Sequence, residues 1–487
     1  MKRFFMFSGW FFVTAIIGAE SFSGRLSVVW GDGHPDEGHE QHQVFSLILE
    51  NGHSIGLDIH PEMLESLGDI SGLSGHEVRV DGDLVASDFA GNPVLLVSGF
   101  WYREDDIPSR GVVFTGAKPW ISLPTKFSDI SDEPRDLSFF LGMYGNQVGQ
   151  LNHYWKEVSS NRINVEGSTS TNWTSLPQPQ SFYVATPGSG TSANLSDLFN
   201  DAVAAVDGFV DFSNGGTGGY EGINIMFNGV LDCCAWGGSR FATLDGVSKS
   251  WRVTWEPPWG YGDEGVIAHE MGHGFGLPHA NNSDGDSSPY DNPWDVMSAA
   301  TSYSMTHPTY GRLGKHINAY HKDRLGWIRD GDIRIVDTEG IFNLTLEYLS
   351  LQGSAFYRML KIPINGSDTH YYLAESRDLR GDYDGNLPGT AVLIYEVDNR
   401  QEPSWLVDGD PVPANFSDNE GVMWRVGETF ADEANNIRIT VDAATANGFF
   451  LEVDTTNCDS VTVLPLLPGW PQARDITDLI NVVNCGL

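Results

Sequence analysis

The sequence predicts an α+β chain with β-patterned ends and a mixed, partly helical middle. Three observations carry that reading. Short apolar runs broken by glycine and aspartate recur in residues 20–130 and again in 331–456, as strands joined by tight turns would. Between them, apolar residues repeat at helical spacing, most clearly at Leu195, Leu198, Phe199, Ala202, Val203 and Val206. The 55 glycines and 24 prolines favour a turn-rich chain, and 487 residues are enough for two or three domains, each with its own core.

The elements follow in order. Lys2-Arg3, an apolar stretch to Ile17 and the small Ala19 before Glu20 read as a signal peptide over 1–19, so the product is expected to be secreted and extracellular. No later stretch is apolar enough to span a bilayer. Residues 20–130, with strands expected at 25–30, 44–49, 76–80 and 94–97, read as a β-rich, small barrel-like domain or propeptide. His34, His39 and His42 cluster there as exposed loop histidines. In 131–330, Tyr144, Val148, Leu151 and Trp155 mark one helix, residues 195–206 a second that Gly208 closes, and 223–227 a strand. Strands at 371–377, 387–398 and 437–441 follow in 331–456.

The chemistry concentrates in His269-Glu270-Met271-Gly272-His273-Gly274-Phe275-Gly276-Leu277-Pro278-His279. Histidines four apart on a helix stack on one face, where both can grip one zinc ion, with Glu270 beside them as a base. Gly276 can adopt positive φ and end the helix, so that His279 returns to the ion. Three imidazoles leave a fourth position open, the catalytic pattern of zinc. Asp263 is expected to cap the helix, with Glu264 in its first turn. A bare H-E-x-x-H arises by chance in about one such chain in fifty, and the longer pattern in roughly one in ten thousand.

His269, Glu270, His273, Gly276 and His279, with Met297 downstream, resemble the metzincin zinc metallopeptidases. Leu325-Gly326-Trp327 and the runs at 371–377 and 389–398 are similar to the immune inhibitor A and gametolysin-like branches. The resemblance implies a metzincin-like catalytic domain over 131–330 and a β-sandwich over 331–456. It makes Met297 an apolar floor beneath the metal. It also implies a rim strand, placed at 235–244, that pairs with an extended substrate. Ala299 stands where some branches carry a metal-binding tyrosine, and Tyr303 is not assigned that role. The first cysteine is Cys233, so a prodomain cysteine cannot block the zinc here.

Calcium is a second expected ion. Asp284, Asp286 and Asp291 lie in a glycine-containing loop that can coordinate it, and the resemblance implies calcium near Asp382, Asp384 or Asp398; a solvated loop and structural aspartates have the same composition. Four cysteines suit an oxidising compartment. Cys458 and Cys485 can staple the tail 457–487, a bridge between the neighbours Cys233 and Cys234 is strained, and three connectivities remain open. With 28 basic against 65 acidic residues, nucleic acid and anionic membranes are excluded as expected partners. The expected function is that of a monomeric, secreted zinc endopeptidase, acting on protein or peptide substrates through a water that Glu270 activates. The alternative is an extracellular polymer-binding protein with an inactive zinc domain.

Overall fold

The computed structural model describes residues 20–457, apart from 38–40, 86–92, 104–112, 216–217, 284–287, 354, 401–403 and 411–418. The stretch read as a signal peptide, His39, Asp284, Asp286, Cys458 and Cys485 therefore lie outside the described residues. Strands make up 37% of the chain and helices 16%, a β-dominated form of the α+β class. Among the described residues no helix is long and apolar enough to cross a membrane.

The chain begins with a barrel. Strands Glu20–Gly33, Gln41–Ile48, Ser54–Asp58, Val94–Trp101 and Glu77–Val85 pair in that spatial order, and the last returns to the first. This is the connectivity of an OB-type barrel, and closure leaves few free edges. Side chains alternate along each strand, so Leu26, Val28 and Trp30 meet Phe45, Leu47, Ile55, Val78, Val80 and Leu95 inside.

The first strand is longer than the barrel needs. Its beginning pairs with Glu77–Val85, while Val29 to Gly33 pair antiparallel with Gly238 to Cys234. The barrel is thus continuous with a central sheet, in which Thr174–Ser175, Trp120–Lys126, Gly222–Phe227, Val247–Glu256, Cys234–Leu244 and the first strand lie side by side. Trp120–Lys126 precedes the boundary expected at 130, yet it pairs in parallel with Gly222–Phe227 inside this sheet. Ile121, Leu123, Ile223 and Ile225 face the helix Leu195–Val206. Trp120 and Met226 face the opposite layer of Leu137–Met143, Leu151–Val158 and Glu264–Gly274.

One helix expected from spacing is two. Tyr144 ends Leu137–Met143, and Gly149, at φ +83°, breaks the chain before Leu151–Val158 begins. Tyr144 is buried for a polar reason, its hydroxyl meeting Ser122 at 2.7 Å and Asn224 at 2.8 Å. Val148 is exposed.

The C-terminal part has two sheets. Ile333–Ile335, Met359–Pro363, His370–Arg377, Ala391–Asp398 and Trp405–Leu406 form one; Ile341–Glu347, Gly448–Asp454, Ile437–Ala444 and Thr429–Asp432 form the other. Leu360, Ile362 and Ala374 of the first share a core with Leu344, Ile439, Val441 and Leu451 of the second. The outer face of the five-stranded sheet is buried too, with Leu373, Leu393 and Tyr395 against Trp294, Ala319 and Tyr320 of the central part.

Candidate metal centre

The strand Val247–Glu256 delivers the chain to the buried helix Glu264–Gly274, which carries His269, Glu270 and His273. Its start differs from the expected cap. Asp263 makes no capping hydrogen bond and instead binds Arg312, whose guanidinium donates to it at 2.7 and 2.9 Å. Its end is as spaced. Gly276 sits at φ +86°, its N–H donates to the His273 carbonyl at 2.9 Å, and the Leu277 N–H to Gly272 at 3.1 Å. This helix stop turns the chain so that His279 comes back beside the other two histidines.

All three imidazoles are buried and converge. His269 Nε2 and His273 Nε2 lie 3.0 Å apart. His269 Nδ1 is 2.7 Å from the Val296 carbonyl and His273 Nδ1 2.8 Å from the Leu277 carbonyl. A carbonyl only accepts, so each Nδ1 carries a proton, and each Nε2, turned toward the other, is the atom left to offer a lone pair to a metal ion. Burial pushes the His273 imidazole down to about 3, which keeps that ring neutral.

A fourth group completes the cluster, and the sequence reading did not find it. Asp32, near the end of the first strand, places Oδ1 2.7 Å from His279 Nε2 and 3.4 Å from His269 Nε2, and Oδ2 3.3 Å from His273 Nε2. Burial alone would raise Asp32, but His269 and His279 opposite it hold the carboxyl well below the usual carboxylate range. Lone pairs and a carboxylate packed this closely repel one another unless a proton or a metal cation sits among them. The four donor atoms all lie within 4.8 Å of one another, and ligands around a tetrahedral zinc stand about 3.3 Å apart. The residues present fit a divalent metal ion.

Glu270 lies beside this cluster, wholly buried, and neither carboxylate oxygen finds a hydrogen-bond donor among the described residues. Burial, then the negative charges of Asp32 and Glu256, raise its carboxyl well above the ordinary value; a bound cation would draw it back down. Met297 is buried under the helix, where a Cβ added to Gly272 would collide with its sulfur. Its backbone N–H donates to Asp295 at 2.7 Å. Tyr290, also absent from the sequence reading, donates to Asp32 Oδ1 at 2.5 Å, with its ring 5.5 Å from that of His279. Tyr303 points elsewhere, to Asn419. A cavity of about 20 Å³ beside Asp32, His269 and Glu270 has room for a water, not for a peptide residue.

The other expected sites divide. Among the described residues, no group of three or more metal-competent side chains includes Asp291, Asp384 or Asp398. Asp384 instead accepts from Arg377 through both oxygens, at 3.0 Å each, and from the His316 N–H at 3.0 Å, and Asp398 pairs with Arg400. Cys233 and Cys234 are bridged to each other, with Cα atoms 3.7 Å apart, so the pairing read as strained is the one formed. His42 lies beside that disulfide, and His153, Glu157 and Asp382 form a further, half-exposed group.

No family model matches the chain, and no curated protein or solved structure matches it significantly.

Proposed function

We propose that the chain is a secreted zinc endopeptidase of the metzincin type, with its catalytic apparatus on the helix Glu264–Gly274 and the turn after it. The observation that carries this is the convergence of three buried imidazoles, two with their Nδ1 atoms tied to carbonyls, beside a buried carboxylate that finds no hydrogen-bond donor among the described residues. Zinc held by His269, His273 and His279 would polarise a scissile carbonyl and acidify a water. Glu270 would take the proton of the attacking water and pass it to the leaving amine. Met297 supports the helix beneath the histidines. The rim role expected of residues 235–244 fits the strand Cys234–Leu244, which lies against this helix: a Cβ on Gly237 would strike the Glu270 backbone.

Metal analysis together with casein hydrolysis tests the reading, before and after limited proteolysis of the purified chain. One equivalent of metal is expected, lost in His269→Ala. Hydrolysis should stop with a chelator and fall at least a hundredfold in Glu270→Ala, which keeps its metal. A metal-free chain, or hydrolysis indifferent to chelator and to Glu270, would sink the proposal.

A further inference from the structure

The first strand does two things at once at this site. Antiparallel pairing of Val29↔Gly238, Trp30↔Gly237, Gly31↔Trp236, Asp32↔Ala235 and Gly33↔Cys234 lays it along the strand that an extended substrate would need. Strand alternation then puts Trp30 and Asp32 on the same side. The Trp30 ring stacks on His273, centroids 4.7 Å apart and planes 6° apart, and Asp32 reaches all three histidines. Close fit holds the register, because a Cβ on Gly31 would enter the Trp236 ring and one on Gly238 would strike the Val28 carbonyl. The hydrogen bond from Tyr290 fixes the carboxylate.

We propose that Asp32 is the fourth protein ligand of the metal, and that the barrel carrying it keeps the enzyme latent by occupying both the open coordination position and the substrate strand. This rests on the zinc reading above. An ordinary carboxylate buried among imidazoles would need only charge balance. Asp32 also stands where an attacking water and a scissile carbonyl would have to go, and its strand fills the pairing edge over five residues. The enzyme becomes competent when the first strand leaves the rim. Chemistry of this kind needs no cysteine, consistent with Cys233 being the first in the chain.

The test uses the full chain loaded with cobalt in place of zinc, comparing wild type with Asp32→Ala and Asp32→Asn. Wild-type protein should bind one cobalt, with a visible spectrum that acetohydroxamate does not alter. Asp32→Ala should keep the cobalt, show a spectrum shifted toward higher coordination and respond to acetohydroxamate. It should also release the metal to a chelator at least tenfold faster and cleave a short peptide at least tenfold faster. Asp32→Asn, which preserves size and strand, should shift the spectrum in the same direction even if the alanine variant folds poorly. Cobalt bound stoichiometrically with the same spectrum and the same indifference to acetohydroxamate in all three proteins would overturn the role of Asp32 and leave the zinc reading intact. Failure of the wild type to bind cobalt would overturn both.

Discussion

At the scale of single residues, the helix around the histidines buries acids that a core tolerates only in their neutral form or beside a cation. Glu264 is buried, its Oε2 accepting from the Gly314 N–H at 2.8 Å, and burial lifts its carboxyl to about 8. An acid whose folded pKa is raised contributes most below its ordinary value of about 4.3, and stability is lost as pH climbs toward the folded value. Glu264→Gln removes that dependence without changing shape. The variant is expected to melt close to wild type at pH 5 and above it at pH 8, by thermal unfolding at both. Equal differences at the two pH values would contradict the neutral buried acid. His269, Glu270, His273 and His279 were legible as residues because their spacing alone dictates a shared face and a return.

At the scale of elements, the decisive piece is the helix stop. Gly276 has φ +86° and nothing within 4 Å of where a Cβ would be, so an added methyl meets no neighbour and only the backbone conformation objects. Gly276→Ala should therefore cost about 1–2 kcal/mol in denaturant unfolding. It should also weaken metal binding, since a displaced turn moves His279; an unchanged metal affinity would show that the turn has no part in placing the ligand. The helix Leu195–Val206 was readable from its apolar face, and Asn194 caps it by accepting from the Asp197 N–H. The segment around Tyr144 was not. The helical spacing there runs across two helices and an exposed Val148, and hydrogen bonding to Ser122 and Asn224, not periodic structure, holds the tyrosine in place.

For the whole molecule, the candidate metal centre is braced from both flanks. On one side Arg324 pairs with Asp69 of the barrel, and its Nε donates to the Gly276 carbonyl at 3.0 Å, tying the helix stop to the N-terminal part. On the other, Asp295 accepts from Met297, from the Asn318 N–H at 2.8 Å and from His321 at 3.0 Å. Nearby, Arg377 of the C-terminal sheet binds Asp384 and donates to the Trp294 carbonyl at 2.8 Å. Arg377→Met would take away the guanidinium paired with Asp384 and leave it only the His316 N–H as a hydrogen-bond donor among the described residues, and a buried pair broken from one side loses about 3–5 kcal/mol. The expected result is a large fall in melting temperature; a shift of only a degree or two would mean that the network is not what joins the two parts.

The sequence by itself determined the β-rich ends, the mixed middle, and the histidine helix with its glycine stop. Each of these depends on neighbours within a turn or two of chain, where 3.6- and 2-residue periodicities act directly. Only the tertiary structure decided what faces the histidines. Asp32 meets His279 across 247 residues, through strand pairing that joins a barrel to a second sheet. Its sequence trace was slight: an acid in step with Leu26, Val28 and Trp30 on the inward side of an apolar strand. Such a residue has no local reason to be there, because its partners are histidines assembled from a distant part of the chain.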